Sequence, residues 1–267
     1  MKYIKFQDKK GTFTIQSPEN YSGLYFPLAG DGGLKSSITP NLGGDSKTDQ
    51  NHFLLEPVSI ENLHNNRSTR NFWCRIEGKG CWSATGISAE QELQKFTEAQ
   101  DKSILEAGFM WQKVTRTSAK YGLQSEITSF VDVDGVAEIE LVRIKNISEE
   151  VIKITPIAAI PLYGRSADNI RDHRHVTSLL HRINTTEYGV EVTPVLSFDE
   201  RGHQKNHTTY FVYGYSEKGD APEAFYPTVQ EFIGEGGTYL NPEAVRENKP
   251  GTVSYTHLRA HETKANL

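Results

Sequence analysis

The chain has 267 residues, a formal net charge of −5 and apolar side chains at 36% of its positions. That length suffices for one large domain with a buried core and no covalent staples, and the charge provides no basic field that would gather a phosphate backbone. No apolar run approaches the ~20 residues that span a bilayer, so neither nucleic acid nor membrane is expected as a partner.

Composition then points to a class. Twelve Tyr, 12 Phe and 3 Trp against 2 Met favour an aromatic-rich all-β protein over a helical bundle. The start, Met1 to Phe6, has no apolar leader core. The only cysteines, Cys74 and Cys81, are therefore expected to be reduced thiols in the cytoplasm.

In chain order, Tyr3 to Ile15 alternates around a turn at Asp8 to Gly11 and predicts a hairpin. Ser17 to Asp49, rich in Gly, Pro, Ser and Asp, reads as a long ordered surface loop pinned by Tyr21, Tyr25, Phe26 and Leu28. Strand signals follow at Phe72–Glu77, Gly108–Ser118, Gly122–Val133, Val136–Asn146 and Val151–Ile160. Thr128–Val133 and Val136–Ile144 form the clearest hairpin, around Asp134-Gly135. Its alternation sets Glu138 and Glu140 on a wet face and Ala137, Ile139 and Leu141 on the other. Tyr188–Phe198, Thr208–Tyr215 and Pro227–Ile233 continue the strands, while Ser88–Thr97 and Ile170–Arg182 have helical spacing. The pattern predicts one antiparallel sandwich over residues 1–251 with one or two short helices. Residues 252–267 continue no pattern, resemble a translated adaptor junction and are expected to be foreign to the fold.

Four groups of residues could carry chemistry. The densest, Tyr163 to His175, crowds Arg165, Asp168, Arg171, Asp172, His173, Arg174 and His175 after an apolar strand. These donors and acceptors suit hydroxyls or an anion, and a solvated ion-pair network would read the same way. His173 and His175 could begin a metal site, but no further ligands follow at suitable spacing, so no metal is expected. Asp31, Asp45 and Asp49 lie in the glycine-rich stretch, where two carboxyl groups could in principle serve a glycosidase. Trp73 and Trp82, with Arg70, Asn71 and Arg75 nearby, could stack and bond a pyranose; core tryptophans of a sandwich explain the same letters.

Taken together, Tyr25-Phe-Pro-Leu-Ala29, Ser37-Ile-Thr-Pro40, Asn71-Phe-Trp73, Trp82-Ser-Ala-Thr-Gly86 and Arg165 to His175 resemble the start of the phosphorylases of glycoside hydrolase family 94. Within the family the likeness is strongest to the 1,2-β-oligoglucan phosphorylases and weaker to the cellobiose and chitobiose enzymes. The resemblance implies an antiparallel β-supersandwich, of the galactose mutarotase kind, that precedes a separate (α/α)6 catalytic barrel in full-length members. It implies a parent enzyme that cleaves a β-glucoside by inverting phosphorolysis. A barrel aspartic acid protonates the leaving oxygen while inorganic phosphate attacks the anomeric carbon, and glucose 1-phosphate forms without a cofactor. On this view the present chain is a truncated, inactive amino-terminal domain with no catalytic residue. Its retained role would be homodimerisation and sugar contact, with Arg174 foremost and then His173, Asp168, Arg171 and Arg165. A self-standing carbohydrate-binding module and a mutarotase-like enzyme using His and Glu remain as alternatives.

Overall fold

A computed structural model describes residues 4–21, 23–59, 69–167, 181–199, 202–251 and 258–259. In chain order, β1 (Ile4–Phe6) and β2 (Phe13–Gln16) form the expected first hairpin. Next come β3 (Phe26–Ala29), β4 (Lys35–Ile38), β5 (Ser46–Asp49) and β6 (His52–Phe53), a small sheet in that order. β7 (Asn71–Ile76) and β8 (Gly80–Ser83) pair around Gly78, and α1 (Ala89–Gln94) follows. A meander of β9 (Lys102–Gly108), β10 (Trp111–Ser118), β11 (Leu123–Val131) and β12 (Glu138–Asn146) joins the first hairpin in a six-stranded antiparallel sheet, β1-β2-β9-β10-β11-β12. β13 (Ile154–Ala159) returns to the far edge of β7.

The remaining strands are β14 (His181–Thr185), β15 (Gly189–Pro194), β16 (Leu196–Asp199), β17 (Gly202–Lys205) and β18 (Tyr210–Tyr213). After α2 (Val229–Ile233) and α3 (Glu243–Glu247), β19 (Leu258–Arg259) completes a sheet ordered β18-β15-β14-β19. The architecture is the all-β supersandwich. Among the described residues it has three short α-helices, and no helix is long and apolar enough to cross a membrane.

Alternation explains the main core. β10 and β11 bury every second residue, the period of a sheet with one face covered. Leu123, Ile127 and Val131 of β11 meet Cys74, Ile76 and Trp82 of β7 and β8, and Leu28, Leu34, Ile38 and Leu42 close the same cluster. The β13-β7-β8 sheet is covered on its other side too, where Trp73 packs with Phe232, Ala244 and Val245 of α2 and α3.

Four expectations are corrected. Ser17–Asp49 is not a loop: it contains β3, β4 and β5, and Ser36 and Ser46 are buried there with their hydroxyls bonded to each other at 2.8 Å. A strand whose inward positions are hydroxyls that satisfy one another leaves no apolar alternation to read. Pro227–Ile233 is helical from Val229 on, because the Thr228 hydroxyl accepts the Glu231 N–H and opens α2. Ile170–Arg182 ends in strand rather than helix, since His181 and Arg182 pair with Pro194 and Thr193; residues 170–180 lie outside the described residues. The faces of β12 are reversed. Leu141 is 53% exposed, whereas Glu138 and Glu140 point inward beside Val142 and Ile144.

Candidate functional site

The described foot of the Arg- and His-rich segment is Tyr163–Ala167, and three backbone hydrogen bonds clamp it to the end of the small sheet. The Tyr163 N–H donates to Leu54 O at 2.8 Å, the Phe53 N–H to Arg165 O at 2.9 Å and the Ala167 N–H to Gln50 O at 2.9 Å. This short antiparallel ladder holds the stem in one register. Its outer flank is Asp49, whose carboxylate meets His52 Nδ1 at 2.8 Å. On its inner flank Gly164, at φ 61°, passes so close to β18 and β15 that an added Cβ would sit 3.3 Å from Tyr210 Cδ2 and 3.6 Å from Val192 Cγ1. Only a glycine combines that φ with that approach at little strain.

Electrostatics at the stem favour an uncharged floor beneath a cation. Arg165 lies over the Tyr163 ring, 5.3 Å from its centroid. His181, opening β14, has its pKa pushed down to about 4 by burial and by the Arg165 charge, so it is neutral near pH 7. Burial likewise raises the phenol pKa of Tyr210. Arg165 is therefore positioned at the root of the segment, while Asp168, Arg171, His173 and Arg174, with His175, lie outside the described residues.

The other candidates resolve into structure. Trp73 and Trp82 are 2% and 1% exposed, and Trp82 Nε1 donates to Asp101 at 2.8 Å; they are core tryptophans, not a sugar platform. Arg70, expected to bond hydroxyls beside them, is 2% exposed. Asp45 accepts from the Ser37 hydroxyl at 3.1 Å and the Val58 N–H at 3.3 Å, and Asp31 is exposed. Asp49 is bound to His52, so Asp45 and Asp49 each have their own protein partners. Cys74 and Cys81 are free thiols. Among the described residues no three His, Cys, Asp or Glu gather as a metal ion would require.

Sequence reasoning missed a buried carboxyl pair. Glu138 and Glu140 share the inner face of β12, 6% and 15% exposed at their side chains. Arg70 engages Glu138 with Nε and Nη2, the latter at 2.8 Å, and spends its remaining donors on Leu42 O, Gly44 O and Asp45 O. Burial alone would raise the Glu138 pKa, but Arg70 and the Ser36 hydroxyl outweigh it and hold that carboxyl below its ordinary value. Glu140 accepts from the Ser129 hydroxyl at 2.5 Å and lies 3.8 Å from Arg70 Nε. Burial and the Glu138 charge raise its pKa well above the ordinary value. Arg70 thus offsets the Glu138 charge inside the core, and the second carboxyl beside it is pushed toward its neutral form. Both acids already have protein partners, so the arrangement is a polar clasp rather than an acid and a base facing a substrate.

Among curated proteins none matches the chain. The family model for the supersandwich domain of glycosyl hydrolase 94 matches residues 30–258, a span that takes in β4 to β6, the clasp and the stem and passes beyond Gly251 to Leu258. The chain therefore belongs to the glycosyl hydrolase 94 family, through its supersandwich domain.

Proposed function

We propose that this supersandwich is the accessory, sugar-facing domain of an inverting β-glucan phosphorylase, of the 1,2-β-oligoglucan kind, and that the chemistry belongs to a separate catalytic domain. The observation that carries the reading is the stem ladder from Gln50–Leu54 to Tyr163–Ala167. It roots the segment richest in hydroxyl- and anion-binding side chains on a fixed support, with Arg165 at its base. In this reading Arg174, His173, Asp168 and Arg171 follow from the stem to contact the glucan, in an active site that a homodimer completes. The catalytic domain supplies the carboxylic acid that protonates the leaving oxygen, and inorganic phosphate is the nucleophile; no cofactor takes part. Glu138 and Glu140 do not substitute for that acid, because both are buried, Glu138 against Arg70 and Ser36 and Glu140 against Ser129. Missing proton transfer and charge stabilisation each remove orders of magnitude in rate. The cytoplasm, with its reduced thiols, is the proposed compartment.

The test is direct. Incubated with β-1,2-gluco-oligosaccharide and inorganic phosphate, the chain is expected to release no glucose 1-phosphate. Turnover comparable to that of a complete phosphorylase would place the catalytic groups inside the sandwich and overturn the reading.

A further inference from the structure

The outer face of the β18-β15-β14 sheet carries an arrangement that neither the core nor the stem uses. Residues directly opposite in an antiparallel pair share a face. The pairings Glu191↔Phe211 and Gly189↔Tyr213 therefore set Phe211, Tyr213 and Glu191 together on that face, while Ile183, Val192 and Tyr210 are buried on the other. Phe211 and Tyr213 are 39% and 44% exposed, and their ring centroids lie 4.6 Å apart at an interplanar angle of 33°.

Tyr213 is held at both ends. Its hydroxyl donates to Glu191, and its ring crosses Gly189 so closely that an added Cβ would come within 2.9 Å of Cδ1. At the Gly189 end a second pair, Tyr188 and Tyr215, meets edge to face at 6.4 Å. At the other end the Thr193 and Thr209 hydroxyls lie 3.0 Å apart.

We propose that this aromatic face is a second binding surface for a β-glucan chain, separate from the Arg165–His175 segment. A pyranose offers a C–H face that stacks on an aromatic ring and a rim of hydroxyls that needs donors and acceptors. The two ring pairs supply the first requirement, and Glu191 with the two threonines supplies the second. A protein partner with an apolar face would strip water from Glu191 and the threonines without returning a hydrogen bond, whereas a sugar returns a hydroxyl to each. The fixed rings lose little conformational freedom when a ligand lands. The ligand class rests on the β-glucan reading above, but the surface does not require the Arg165–His175 segment, and the two can fail separately.

Native electrophoresis of the whole chain through gels containing linear β-1,2-glucan, with dextran gels as control, tests this. The β-1,2-glucan gel is expected to retard the chain and the dextran gel is not. In Phe211→Ala/Tyr213→Ala the apparent affinity is expected to fall about tenfold or more, the loss of two stacking contacts. Tyr213→Phe, which keeps the ring, is expected to retain more of the affinity than Tyr213→Ala, and Arg174→Ala to keep the part of the retardation that depends on the rings. Thermal midpoints identify any variant that fails to fold. The single Phe211→Ala and Tyr213→Ala chains then replace the double variant, each with a smaller loss expected. Equal retardation of the ring variants and the parent chain overturns the proposal, as does no retardation at all. Retardation lost only in Arg174→Ala overturns it while leaving the segment reading intact, and release of glucose 1-phosphate is decided independently of these gels.

Discussion

Removing Arg70 would leave a buried acid unpaired in the core. Arg70 is 2% exposed, and its donors close on Glu138 and on three backbone carbonyls of the Leu42–Asp45 turn. Burial favours loss of its charge, but Glu138, Glu140 and Asp45 more than compensate and raise its pKa. Breaking a buried pair from one side leaves the other charge uncompensated, at a cost of about 3–5 kcal/mol. Arg70→Met is therefore expected to lower unfolding stability in urea by that amount, and Arg70→Met/Glu138→Gln to recover part of it. Glu140→Gln, which removes an acid whose raised pKa penalises the fold near neutral pH, is expected to leave stability at pH 7 unchanged or to raise it. A Glu140→Gln cost as large as that of Arg70→Met would show that both acids are ionised and would dissolve the clasp. Little of this was legible in the sequence. A Glu at every second strand position is what a solvated face looks like, and the cation that reverses the reading lies far away along the chain.

At the scale of elements, legibility followed the source of the inward surface. The β11–β12 hairpin and the β1–β2 hairpin were readable because Gly or Asp marks the turn and apolar letters alternate on both sides. β3 to β5 were not, because their inward positions include serines and the apolar contribution comes partly from Leu34 and Leu42 outside the strands. β9 also went unforeseen: its buried residues Ser103, Leu105 and Ala107 give only a weak apolar alternation. β7 shows the opposite case, a strand covered on both faces, with Cys74 turned to the large sheet and Trp73 to α2 and α3. Burial pushes the Cys74 thiol up to about 12, and it is 0% exposed. Cys81, half-buried on β8, donates its S–H to Val245 O at 3.4 Å. With an aromatic disulfide reagent the native chain is accordingly expected to leave Cys74 unlabelled, and denaturant to release it in the main unfolding transition. Labelling of Cys74 at the Cys81 rate under native conditions would mean that the β13-β7-β8 sheet opens independently of the core.

For the whole molecule the sequence disclosed the class, the family likeness and the position of the polar segment, while the clamp that roots this segment depended on pairings between residues about a hundred positions apart. That clamp sits beside the group with the clearest effect on stability as a function of pH. His181 titrates near 4 in the folded chain against an ordinary 6.5, and a base with a depressed folded pKa stabilises the fold above its unfolded value and loses that contribution as pH falls through the folded one. The window is therefore pH 6.5 down to about 4, and the full loss is roughly 3 kcal/mol at most. Glu140 acts in the opposite sense. Its raised pKa penalises the fold at high pH and relieves the penalty as the proton binds, whereas Glu138, with a lowered pKa, withdraws its support only as pH falls below the ordinary carboxyl value of 4.5. Urea midpoints measured between pH 7 and 5 are thus expected, as the pH decreases, to lose less in His181→Leu than in the parent chain. The Glu140→Gln chain, lacking the compensating proton uptake, is expected to fall more steeply. If His181→Leu follows the parent curve throughout that window, the imidazole is not held neutral under the stem and the electrostatic description of this site is wrong.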